Sequence, residues 1–487
     1  MRQRSPFFST VVFSVFISCL LVFCATPTLA KKPLKSRKAA AARKAKKQRE
    51  ITARLAALYQ LAALRSNRPT LSLPPANTLE GSGLDGIIAP SGSGAVSDGQ
   101  GFADNLSPLT ATAGQIIISE FRVRGPNGAN DEFIELYNNS GADHTVAGGG
   151  TGYGVAASNG VARCVIPNGT VIPNKGHYLC VNSVGYSLAS YPAGNGTTAT
   201  GDATYTTDIP DNAGIAVFNT SVAADFTLAN RLDAVGSASE ANTLYKEGTG
   251  YPTLTPFPID YSFYRDTCGK SGSITTFGQC SIQTPKDTDN NAADFIFVDT
   301  NGTSAGAGQR LGAPGPENLS SPIQRNSSIG TALLDTCVAN SSPPNRVRDF
   351  TSNPANNSTF GTLDLRRTFT NNTGGNVTRL RFRIVDLTTF PAPSGIADLR
   401  PRTSTAVVVT VDRPPCGSGT SNVTVQGTTL EQPPSQPNGG GFNSSLSAGT
   451  ITLATPLANG ATIDVRFLLG IQQTGSFKVY VNLEALP

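Results

Sequence analysis

Beyond Gln115 no stretch repeats with the period of an amphipathic helix, and the chain reads instead as short β-rich runs punctuated by Gly, Asn and Pro. "IIISEFRV", "EFIELYN", "GHYLCVN", "GIAVFN", "LDAVG", "YSFYR" and "DFIFVD" follow one another in this way. Strands with no helices between them exclude βαβ units and leave antiparallel sandwiches or small barrels. A Pro/Ser-rich break, "LGAPGPENLSSPIQRNSS" at Leu311 to Ser328, precedes a second series: "GTLDLRRTFTNN", "VTRLRFRIVDL", "AVVVTVD", "NVTVQGTTL", "GTITLATPL", "TIDVRFLLG" and "SFKVYVNLEAL". In "LRFRIV", Leu380, Phe382 and Ile384 alternate with Arg381 and Arg383, the period of a half-buried strand. With 487 residues the chain exceeds one ordinary domain, and its 50 Gly and 33 Pro suit turn-rich units with modest cores.

The N-terminal part is different. Arg2 and Arg4 precede an apolar run from Phe7 to Phe23, and Thr28-Leu29-Ala30 supplies small residues for cleavage, so residues 1–30 are expected to be a secretory signal peptide. A lipidated Cys24 is disfavoured by the bulky Phe23 before it, and an uncleaved membrane anchor remains the alternative. Residues 31–68 hold thirteen Lys/Arg against Glu50 alone, +12, whereas Pro69 to Pro487 carries 23 bases against 32 acids. Ile51, Leu55, Leu58 and Ala62 form an apolar stripe, so this basic arm is expected to be partly helical. Its leading half, Lys31, Lys32, Lys35, Arg37, Lys38, Arg43, Lys44, Lys46, Lys47 and Arg49, suits an anionic cell-envelope polymer or membrane surface. Only Tyr59 offers a ring for base stacking, which argues against sequence-specific nucleic-acid binding. Residues 69–113 read as a flexible linker.

Removal of Cys19 and Cys24 with the signal leaves Cys164, Cys180, Cys268, Cys280, Cys337 and Cys416. No C-x-x-C is present, and the only histidines are His144 and His177. Disulfides between sequence neighbours in an oxidising compartment are expected rather than a zinc site, although six cysteines admit about 15 pairings.

"IIISEFRVRGPNGANDEFIELYN", "IPNGTVIPNKGHYLCVN", "AGIAVFN", "RLDAVG", "TPKDTDNNAADF" and "RLGAPGPENLSS", in this order, resemble the lamin-tail domain of secreted bacterial proteins. The resemblance covers Gly114 to Ser321 and implies an immunoglobulin-like β-sandwich without catalytic residues, used for interaction or surface association. The Gly-rich Ala147 to Val161 stretch and the cysteine pairs depart from that pattern, and the stretch is expected to be an elaborated outer loop. Residues 329–487 resemble, less specifically, immunoglobulin-like or fibronectin-like modules. The expected order is therefore residues 1–30, 31–68 and 69–113 as above, a lamin-tail-like sandwich over 114–321, a linker over 322–328 and a second β-sandwich over 329–487.

Few residues offer chemistry. Glu120, Asp131, Glu132 and Glu135 flank a Gly/Pro/Asn loop, but Arg122 and Arg124 are as near, so cross-strand salt bridges are expected in place of an acid-base pair. In "KDTDNNAADF", Asp287, Asp289 and Asn291 alternate like the start of a calcium loop, the one hint of a bound Ca²⁺. Ala292 stands where such a loop needs Gly and Val298 where it needs Glu, and Asx-turns explain the same composition. His177 is expected at a strand edge or turn, and neither His144 nor His177 lies in a recognisable nucleophile elbow. "VAGGGTGYG" lacks the following helix and Lys of a phosphate loop and reads as a flexible surface loop. "EQPPSQPNGGGFNSS" reads as a long loop free to bind a partner or to form a disordered hairpin tip. These residues point to a secreted, non-catalytic adhesion or scaffolding protein whose partner is an extracellular protein or glycan. The rivals are an accessory or diverged extracellular hydrolase or nuclease, and a binder of anionic polymer or nucleic acid through the arm.

Overall fold

Ile116–Arg122 and Phe133–Asn138 pair antiparallel, as their alternating apolar residues require, and Ser119 interrupts the register between Ile118 and Glu120. This one-residue bulge inverts the side-chain phase. Ile116 and Ile118 face the core before it, Phe121 and Val123 after it, and Glu120 and Arg122 are turned to the opposite face. The computed structural model describes residues 111–253, 259–268, 284–303, 310–392, 394–435 and 437–487. The expected signal and basic arm, from Lys31 to Arg49 and on to Arg68, lie outside the described residues, as do most of the linker and Cys280.

The chain is all-β. A six-stranded sheet runs in the order Phe295–Asp299, Tyr261–Arg265, Ile116–Arg122, Phe133–Asn138, His177–Asn182, Ala203–Tyr205. A four-stranded sheet of Arg231–Val235, Ile215–Phe218, Gly152–Ala157 and Ala162–Pro167 packs on it, the shared core running from Ile116 and Leu136 to Tyr153, Val155 and Val217. Two further five-stranded sheets enclose a second core around Phe369, Phe382 and Phe467. Both pairs of sheets belong to one compact unit.

Two glycine-rich or proline-rich stretches differ from their expected roles. Gly152–Ala157, expected as an outer loop, is an interior strand whose six residues are all buried. Tyr153, Val155 and Ala157 enter the core. At Gly152 a Cβ would stand 1.9 Å from the Ile166 carbonyl oxygen at a φ of +150°, so glycine there is a packing requirement. Conversely, "GTITLATPL" forms no strand: Thr452 and Thr455 close a turn on each other, while Ile451 and Leu457 anchor it to the second core.

Cys164 bonds Cys180 and Cys337 bonds Cys416, as the neighbour pairing predicts. Cys268 is also disulfide-bonded. Among the described residues no helix is long and apolar enough to cross a membrane.

Candidate functional site

The outer face of the six-stranded sheet is buried rather than solvated. All six residues of Phe133–Asn138 are buried, one face by its own core and the other by the Tyr186 to Ala199 loop and the second sandwich. In Arg379–Leu387 the alternation of Leu380, Phe382 and Ile384 with arginine holds, but the arginine face is also covered. Arg381 is 1% exposed and Arg383 8%. The two charged faces meet, and between them runs the Pro-rich segment expected as a break, buried from Leu311 to Asn318. Within the stretch expected as linker, Ile323 and Gln324 pair with the final strand, Val479–Leu486.

Glu120 and Glu135 stand opposite each other in register. Like charges so placed repel, and the fold answers with donors from three directions. Glu120 accepts from the Gly315 amide at 2.8 Å and from Asn443 Nδ2 at 2.9 Å. Glu135 accepts from Ser119 Oγ at 2.6 Å and from the Glu317 amide at 2.6 Å. Glu317 Oε1 lies 2.8 Å from Arg381 Nη1 and 3.1 Å from Arg383 Nη2, and its Oε2 lies 3.3 Å from His177 Nε2. Arg383 Nε reaches Glu484 at 2.9 Å, and its Nη1 donates to Asn443 Oδ1 at 2.8 Å. Glu120, Glu135, His177, Glu317, Arg383 and Glu484 line a polar cavity of ≈ 70 Å³.

Burial raises the Glu120 and Glu484 carboxyls, with Arg383 pulling both back. Glu135 is raised well above the carboxylate range, first by burial and then by Glu120 and Glu317. Burial pushes His177 down to about 3, against the pull of Glu484, so the ring is neutral and its contact to Glu317 assigns the hydrogen to Nε2.

The expected salt bridges form only in part. Arg122 pairs with Asp131 and Asp260, and Arg124 with Asp211, while Glu120 and Glu135 pair with neither arginine and are held instead by Ser119, Asn443 and the Gly315 and Glu317 amides. Asp131 also accepts from the Asn127 and Ser187 amides, which closes the Gly/Pro/Asn loop. Glu132 takes Asn182 Nδ2 and the Ile209 amide, and burial raises it to about 8. His177 opens its strand just after the turn closed between Pro173 and Gly176, paired with Tyr137 on one side and outside the reach of the Ala203–Tyr205 strand, which pairs only Cys180 to Asn182; this end of the strand is nevertheless buried. The long loop at Glu431 to Ser445 lies against the first sandwich: Phe442 packs on Tyr264 and Val298, and Asn443 holds Glu120.

The calcium-loop candidates do not converge on one another. Asn291 is fully buried and saturated: its Oδ1 accepts from the Gly236 and Glu247 amides and its Nδ2 donates to the Ala234 carbonyl. It pins two segments together and offers no ligand atom. Asp289 occupies a solvent-facing turn at a φ of +53°. Asp287 alone joins an acidic group, with Asp233 and Glu247, beside the buried Arg265.

Sequence reasoning missed Glu317, Arg381, Arg383, Asn443 and Glu484 as one constellation. The available signal was the pair of arginines on alternate positions of an otherwise apolar strand, which becomes costly when both faces are covered. No protein-family model, curated protein or solved structure matches this chain.

Proposed function

We propose that this chain is a secreted, non-catalytic interaction protein: an immunoglobulin-like sandwich of the lamin-tail kind fused to a second sandwich. It acts at the cell exterior by presenting loops to a protein or glycan, while the basic arm docks on anionic envelope polymer. One observation carries this reading. Glu120 and Glu135, the acids best placed for acid-base work, have all four oxygens engaged by donors, three of them from beyond their own hairpin. A cavity of ≈ 70 Å³ is also too small for a sugar ring or nucleotide, which need roughly 300 Å³ or more. The disulfides are compatible with an extracellular setting.

The test is capture of cell-envelope material by the full secreted chain and by a chain lacking residues 31–68, across a salt series. Capture by both, with weaker salt dependence in the shortened chain, supports the division of labour. Hydrolysis of polysaccharide or DNA that disappears on Glu135→Gln or Asp289→Ala overturns it.

A further inference from the structure

Asp233, Glu247 and Asp287 come from three separate segments, yet each brings a carboxylate oxygen to within 4.8 Å of the other two. Ca²⁺ holds its oxygen ligands at about 2.3 to 2.6 Å, so oxygens on opposite sides of one ion stand about 4.6 to 5.2 Å apart. The span of the group is that of a single coordination shell.

Acids often cluster without binding an ion, but Glu247 is placed in a way that an ion would satisfy. Its residue is 7% exposed, and its Oε1 is taken by Arg231 at 3.2 Å. Its Oε2 is buried and has no hydrogen-bond partner. A buried carboxylate oxygen without a donor is costly, and this oxygen is the one Glu247 has left to offer the group. The segment bearing it is held in place by the Asn291 side chain at its amide.

Charge points the same way. Asp233, Glu247, Asp287 and Asp294 face two cations, Arg231 and Arg265. Arg265 binds Asp233 Oδ2 at 2.6 Å and Asp287 Oδ1 at 3.1 Å, which engages one oxygen of each. Two negative charges remain, the complement of one divalent ion. Asp287 faces solvent and provides the entry.

We propose that Asp233, Glu247 and Asp287 bind one divalent cation, with Ca²⁺ favoured because every protein ligand is a hard carboxylate oxygen and water can complete the shell from the Asp287 side. The ion joins the Arg231–Val235 strand, the Glu247 turn and the Asp287 turn, three segments otherwise tied through Arg265 and Asn291. Its chemical competitor is a proton on Glu247, for burial and the Asp233 charge raise that carboxyl to about 9.

Calorimetric titration and thermal melting of the EDTA-treated full chain separate ion from proton. Expected are one Ca²⁺ bound per chain and a melting temperature several degrees higher in about 1 mM CaCl₂. Asp287→Asn, at the solvent-facing ligand, weakens binding at least tenfold, and Glu247→Gln removes the calcium-dependent shift while the protein still melts cooperatively. Should Glu247→Gln fail to fold, Asp287→Asn decides alone. The proposal is overturned if the unaltered chain shows neither heat nor shift up to about 10 mM CaCl₂, the outcome for a protonated Glu247, or if the shift survives in the variants.

Discussion

Arg383 sits at the centre of the buried charges between the two sandwiches. Arg383→Met keeps the volume and the apolar stem but removes the cation facing Glu317 and Glu484, along with the donor to Asn443. Removal of one partner from a buried ionic pair costs about 3 to 5 kcal/mol, because the remaining charge is stranded. A loss near 4 kcal/mol lowers the melting temperature by about 10 °C for units of this size. The deficit depends on pH with a definite sign. Arg383 now lowers the Glu120, Glu135 and Glu484 carboxyls, so its loss raises them further. A carboxyl raised in the folded state contributes stability below its ordinary value of 4.5 and loses it as pH climbs through the raised value. The variant is therefore weaker relative to the unaltered protein at pH 8 than at pH 5. Urea unfolding at both pH values, followed by calorimetric melting, measures this. Glu484→Gln added to the variant restores part of the loss by removing one stranded charge. A cost under about 1 kcal/mol, independent of pH, would refute the reasoning.

Three other outcomes follow from the same structure. Glu132, raised to about 8 by burial, makes the protein lose stability from about pH 4.5 to pH 8, and Glu132→Gln flattens that slope in paired denaturation curves. Gly152→Ala forces a Cβ against the Ile166 carbonyl and costs at least about 2 kcal/mol in urea titration, whereas Gly160→Ala, at a positive φ but with open space around its Cβ position, costs about half that or less. Opening the Cys337–Cys416 bond, which closes a 79-residue separation, with Cys337→Ser and Cys416→Ser lowers stability by about 4 kcal/mol as judged by chemical unfolding.

The strands of the first sandwich were legible wherever the period of two was clean. Ile116, Ile118, Ile134 and Leu136 announced a hairpin, and the two described disulfide pairs followed from neighbour spacing. The Gly152–Ala157 strand was hidden because glycine normally weakens a strand. Only the close approach of the Ile166 carbonyl and the Thr220 backbone explains its use there. The Leu311 to Ser328 segment misled for a related reason. Its Pro and Ser resemble a solvated linker, yet its backbone amides at Gly315 and Glu317 serve as donors to buried glutamates.

The same limit applied to the candidate sites. Asp287 was flagged through its Asp-x-Asp-x-Asn spacing, but its partners Asp233 and Glu247 lie 54 and 40 residues upstream and share no local pattern with it. Asn291 carried the right residue type for a ligand and a different task, since its amide is spent on three backbone groups.

By itself the sequence determined the all-β class, the hairpin, the cysteine neighbours and the alternation that gives each strand a core face, because these depend on local period and spacing. Tertiary structure decided what became of the other face. Charged residues on strands are ordinarily solvated. Here Glu120, Glu135, Arg381 and Arg383 are buried because two sheets lie against each other across Glu317, and opposite charges contributed from distant parts of the sequence offset the desolvation that either sheet alone could not bear.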